Sequence, residues 1–138
     1  MFLPDTNVFS ELKKIPRGLA EPSVVRWFAQ TPVSEVWLSV IVGFEITKGM
    51  LLKQRHDPAQ AAELLRWYEF DVLPRFDRRI LPVTLEIAER CAALQVPDPR
   101  AVPDSLLAAT ALVHNLTVVT RNVKHFQGTG VAILNPWT

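Results

Sequence analysis

Short apolar runs rich in β-branched residues recur along the chain at Met1–Pro4, Val36–Val40, Ile80–Val83, Thr117–Val119 and Val131–Leu134, and they predict five strands. Between them lie longer stretches with helical spacing: Val24–Phe28, Ile41–Leu52, Ala59–Tyr68, Leu85–Leu94 and Leu106–Val113. Strands alternating with helices predict an α/β architecture, with a mostly parallel five-stranded sheet covered on both faces. Leu106–Val113 is apolar almost all round, as expected of a crossover helix packed on several sides. Prolines stand mostly at the joints of these segments, and the densest loop is Val96-Pro97-Asp98-Pro99-Arg100, too short for an interdomain tether.

Composition narrows the class. A chain of 138 residues, 49% apolar and 21% charged, is expected to fold as one domain over residues 1–138, without disulfide or metal staples. The single cysteine, Cys91, falls at helical core spacing with Leu85, Ile87 and Ala88 and reads as a buried apolar thiol. The N-terminus has no basic region followed by an apolar run, and no segment approaches the ~18 apolar residues of a membrane span. A cytoplasmic location is the expectation. Net charge is +1, so no strong field announces a polyanionic partner. The basic cluster Arg75, Arg78 and Arg79 reads as a solvated face rather than a phosphate site.

In an open parallel sheet, ligands gather outside the carboxyl ends of the strands. Polar residues directly after strands therefore carry the most information. Asp5 ends the first strand and opens Asp5-Thr6-Asn7-Val8; by itself it also suits a helix cap. Glu45 interrupts the apolar run Val40–Ile46 and has Lys48 three residues on as an alternative surface partner. Asp104 follows Pro103 in what reads as a first helical turn, where an acid complements the helix dipole. Thr120-Arg121-Asn122 leaves the fourth strand, and Asn122 also suits a turn. All four positions fall on one predicted edge of the sheet, so three carboxylates are expected to converge. Like charges brought together raise one another's pKa and call for a counter-ion. Mg²⁺ or Mn²⁺ supplies one with oxygen ligands and retained waters, which is the chemistry of phosphodiester hydrolysis.

Competing motifs are absent. No Gly-x-Gly-x-x-Gly or Gly-x-x-x-x-Gly-Lys loop follows a strand, and there is no Gly-x-Ser-x-Gly elbow. His56, His114 and His125 form no His-x-x-x-His pair and have no cysteine partner, which argues against zinc; His56 and His114 read as helix-end residues.

The ordered motifs resemble the PIN-domain ribonucleases, specifically the VapC-type toxins of type II toxin–antitoxin pairs and their FitB-like branch. The resemblance runs through Asp5-Thr6-Asn7-Val8 with Ser10-Glu11-Leu12, Leu38-Ser39-Val40-Ile41 leading to Glu45-Ile46, and Arg79-Ile80-Leu81-Pro82. It continues in Asp104 to Ala111, Val119-Thr120-Arg121-Asn122 with Phe126, and Asn135-Pro136-Trp137. It implies a Rossmann-like three-layer α/β/α PIN domain in which Asp5, Glu45 and Asp104 bind Mg²⁺ or Mn²⁺ and serve RNA cleavage. Thr6, Asn7, Ser39, Thr120 and Asn122 are the candidate substrate-contacting or supporting residues. A homodimer is also implied, neutralised by a small DNA-binding antitoxin.

Departures from the pattern shape a second expectation. The family often carries a fourth acid after strand four, at the place of Asn122 or just before the phenylalanine, where this chain has His125. Val42 stands where a threonine is common. The alternative to a ribonuclease toxin is thus a catalytically weak PIN module that binds RNA or a protein partner without cutting.

Overall fold

The computed structural model describes residues 1–138. Each predicted apolar run holds a strand: β1 (Phe2–Pro4), β2 (Leu38–Ser39), β3 (Ile80–Leu81), β4 (Thr117–Val119) and β5 (Ala132–Leu134). Every pairing is parallel. β1, β4 and β5 form one ladder in that order, with Phe2 opposite Thr117 and Thr117 opposite Ala132. β2 and β3 form a second ladder, Leu38 opposite Ile80. The expected continuous five-stranded sheet is thereby corrected to a three-stranded and a two-stranded ladder, joined by one bridge between Phe2 and Val36. There the Trp37 N–H donates to the Phe2 carbonyl at 2.9 Å. Strands of two residues are too short to sustain more.

Helices α1 (Thr6–Leu12), α2 (Pro22–Gln30), α3 (Val40–Gln54), α4 (Pro58–Trp67), α5 (Leu85–Leu94) and α6 (Val102–His114) separate the strands. Five coincide with predicted segments. α1 spans only seven residues, less than the window that periodicity needs, and it is held by its buried Val8 and Phe9. α6 is buried along Leu107–Ala111, as its apolar sequence demands, and ends on Asn115 in the left-handed conformation (φ 55°). It begins four residues before the predicted Leu106, because Pro103 has the φ of a first turn. The loop before it is pinned rather than slack: the Gln95 side-chain amide donates to Ser105 Oγ at 2.8 Å and its carbonyl accepts from the Arg100 N–H at 2.8 Å.

The core gathers Leu3, Phe9, Leu38, Phe76, Leu107 and Phe126, so strands, α1 and α6 bury one another. Cys91 packs with Ile87 and Ala109 as an inert buried thiol, and burial pushes its pKa up. Arg79 corrects the reading of its cluster as a merely solvated face. It donates through Nε to the Val36 carbonyl at 3.0 Å and stacks 5.8 Å over Phe76, spending its charge on tying the approach of β3 to β2. No helix is long and apolar enough to cross a membrane.

Candidate active site

Asp5 follows β1 directly, and its extended backbone (φ −75°, ψ 164°) makes it the N-cap of α1. Both sequence readings of this residue therefore apply at once. Oδ1 accepts from the Thr6 N–H at 2.8 Å, while Oδ2 accepts from Thr120 Oγ1 at 2.9 Å and from the Asn7 amide at 3.4 Å. Thr120 reaches Asp5 because β4 lies beside β1 in parallel register, so both strands end at the same edge. Thr120 Oγ1 in turn accepts from the Asn122 N–H at 3.0 Å and from Asn7 Nδ2 at 3.3 Å. Asn7 Oδ1 accepts from the Arg121 N–H at 3.4 Å. The β4 exit loop is thus laced onto the start of α1.

Glu45 stands on α3 and is tied to α1: Thr6 Oγ1 donates to its Oε1 at 2.7 Å. The alternative partner Lys48 takes no part. A charge-assisted bond of this kind contributes about 1 to 2 kcal/mol where it is partly buried. Thr6→Val is expected to lose about that much stability in urea denaturation, with a coupling of about 1 kcal/mol to Glu45→Gln in a double-mutant cycle. Lys48→Ala should show no such coupling.

Asp104 sits in the first turn of α6, and its Oδ2 lies 3.1 Å from His125 Nδ1. His125 was not among the candidate residues. The one signal for it was its place just before Phe126, where the related pattern carries an acid. Two candidates are not brought to the carboxylates by their side chains. Ser39 is buried and its Oγ accepts from the Ile41 N–H at 3.0 Å, capping the helix that carries Glu45. Asn122 is exposed and joins the network through its backbone alone.

Burial pushes the Asp5 carboxyl up to about 6 from 3.8; the Thr120 and Thr6 hydrogen bonds oppose the rise, and the charges of Asp104 and Glu45 add to it. Asp5 therefore lies in the field of both other carboxylates. The three do not meet: no three Asp, Glu, His or Cys side chains are gathered tightly enough to grip one ion. The arrangement is looser than a closed three-carboxylate site: Thr6 bridges Asp5 and Glu45 through its N–H and its hydroxyl, and His125 stands against Asp104. The donor set nevertheless fits Mg²⁺ or Mn²⁺, which take hard oxygen ligands and need only one or two carboxylates beside waters and substrate phosphate. A buried carboxyl beside two others is also the environment that a cation relieves. A mainly apolar cavity of about 630 Å³ lies along α3 toward Tyr68 and contains none of the three carboxylates.

Known proteins resemble this chain in sequence and in fold. Residues 2–130 match the family model "PIN domain". The chain is 32% identical over 146 residues to VapC ribonuclease Y4jK of Sinorhizobium fredii, covering 99% of this chain and 98% of that protein. It is 35% identical over 143 residues to Toxin FitB of Neisseria gonorrhoeae, covering 99% of each. Its fold is similar to the crystal structure of FitAcB from Neisseria gonorrhoeae, with a TM-score of 0.87 at 34% identity and 99% of both chains covered. With the acids at the expected strand and helix ends and the match spanning nearly every residue, the chain belongs to the PIN-domain family.

Proposed function

We propose that this protein is a metal-dependent endoribonuclease toxin of a type II toxin–antitoxin module, acting as a single PIN domain over residues 1–138. The observation that carries the reading is the placement of Asp5 at the edge where β1 and β4 end, held by Thr120 and within electrostatic reach of Glu45 and Asp104. Kinship with a chain named VapC ribonuclease supports RNA as the substrate, and kinship with one named a toxin supports a neutralising antitoxin as the partner.

Asp5 and Asp104 are the residues assigned to hold Mg²⁺ or Mn²⁺, with Glu45 completing the charge of the site. When bound, the cation offsets negative charge on the phosphoryl group and makes a water acidic enough to attack at neutral pH. The chain itself supplies positioning. Thr120 and Asn7 fix Oδ2 of Asp5, so its orientation is set before substrate arrives. Thr6 engages Oε1 of Glu45 and leaves Oε2 free to accept a hydrogen bond from the attacking water. The N-terminus of α6, whose first turn carries Asp104, favours the anionic phosphate.

The test is cleavage of RNA by the purified protein. Mg²⁺ or Mn²⁺ is expected to support cutting, EDTA to abolish it, and Asp104→Asn to lower the rate by at least a hundredfold in a folded protein. Folded wild-type protein that binds RNA but leaves it intact across both metals would overturn the enzymatic reading.

A further inference from the structure

A cavity of about 190 Å³ opens between α1, α3 and α4, and it is lined by Thr6 and Glu45 on the side of the carboxylates and by Lys13 and Lys53 beyond them. Neither lysine has an acidic partner. The chain's lysine and arginine ion pairs are Lys14 with Glu11 and Arg17 with Glu63. Acids near this wall are thus spent on other cations, and Glu45 is bonded to the Thr6 hydroxyl instead. Partial desolvation at the Lys13 ammonium, followed by the like charges of Lys14, Lys53 and Arg17, pulls its pKa below the ordinary lysine value. Glu45, the one carboxylate lining this recess, is held by Thr6 and pairs with neither lysine, so the two ammonium groups repel one another and an anion between them relieves that repulsion. Ser10 and Gln60, on the same cavity wall, add neutral hydrogen-bonding groups.

We propose that Lys13 and Lys53 together hold a backbone phosphate of the RNA strand, adjacent to the phosphate that is cleaved beside Asp5, Glu45 and Asp104. The proposal rests on the ribonuclease reading and adds a substrate-binding site on α1 and α3. Continuity decides for RNA: the cavity shares Thr6 and Glu45 with the candidate active site, so a strand passing the carboxylates enters it without leaving the surface. A contact made equally in the ground and transition states acts on KM rather than kcat.

The experiment measures binding of a fluorescent single-stranded RNA by anisotropy in EDTA over a range of salt, and cleavage of the same RNA with Mn²⁺. It compares wild type, Lys13→Gln, Lys53→Gln, the double variant, and Arg26→Gln, which removes a positive charge from an exposed position on α2. The double variant is expected to bind about tenfold more weakly, with KM raised and kcat within twofold of wild type. Its salt slope should be smaller by about 0.7, the value for one phosphate on a single strand. Arg26→Gln should change neither. Wild-type binding with an unaltered affinity and slope in the double variant, or an equal loss in Arg26→Gln, would overturn the phosphate site while leaving the ribonuclease reading standing. The same holds if the double variant loses affinity only for an acidic peptide and not for RNA. Wild-type protein that neither binds nor cuts RNA would overturn both. If the double variant does not fold, the two single variants decide, each with a threefold or greater loss of RNA affinity expected.

Discussion

Asp5→Asn is expected to abolish RNA cleavage and, in the same protein, to raise thermal stability at pH 7 in EDTA. The folded protein holds the Asp5 proton up to about 6, whereas an ordinary aspartate gives it up at 3.8, chiefly because the carboxyl is buried. Between those two pH values the folded state binds more protons than the unfolded one, so stability falls as pH rises from about 4 to about 6 and the penalty is complete above that. The gap corresponds to roughly 3 kcal/mol at pH 7. Asparagine carries no such penalty and keeps an acceptor for the Thr6 N–H. Its amide nitrogen then faces the Thr120 hydroxyl and the Asn7 amide, both of which donate to Oδ2 in the wild type, and this takes back part of the gain.

The net expectation is about 1 kcal/mol, or about 3 °C for a domain of this size. The advantage of the variant should shrink toward pH 4, where wild-type Asp5 is protonated in the folded state. Saturating Mn²⁺ should invert the order, since an ion held by Asp5 stabilises only the wild type. Melting curves of both proteins at the two pH values, with and without Mn²⁺, check each statement. An Asp5→Asn variant that melts lower than wild type at pH 7 in EDTA contradicts the burial argument, and retained cleavage contradicts the site.

Phe9→Ala should be the most costly single truncation. Phe9 is 1% exposed and meets Phe76 at 5.8 Å and Phe28 at 6.4 Å, both edge-to-face. Removing a buried phenylalanine costs about 3 to 5 kcal/mol, a large share of the roughly 5 to 15 kcal/mol that holds a domain folded. The consequence reaches the site because α1 is short and Phe9 is one of the few buried side chains that orient it, with Thr6 and Asn7 in the preceding turn. RNA cleavage is therefore expected to fall even in the fraction that remains folded. Urea denaturation gives the cost, and Phe44→Ala serves as the contrast. Phe44 is 57% exposed on α3, beside Glu45, and its loss should stay within about 0.5 kcal/mol. A cost below 1 kcal/mol at Phe9 would contradict its role as the anchor of α1.

How much of this was legible beforehand follows from the range over which each signal acts. Strand positions and five of the six helices are local properties: the runs at Thr117–Val119 and Leu85–Leu94 show their burial through spacing alone, and the structure places them there. The apolar α6 and the buried Cys91 were readable for the same reason. So was the placement of Asp5 and Asp104 at element ends, because residues that leave a strand or enter a helix are marked by the change of period. α1 escaped because seven residues are too few to show a period, and its helical state depends on burying Val8 and Phe9 against distant partners. Partnerships across the chain escaped as well. That Thr120 holds Asp5, that Thr6 rather than Lys48 holds Glu45, and that His125 stands against Asp104 depend on the order of strands in the ladder and on how α1, α3 and α6 pack. So does the meeting of Lys13 with Lys53 in one cavity. Spacing along the chain determined which residues leave the sheet at its carboxyl edge; packing, which brings together residues up to 115 positions apart, decided what holds each carboxylate there.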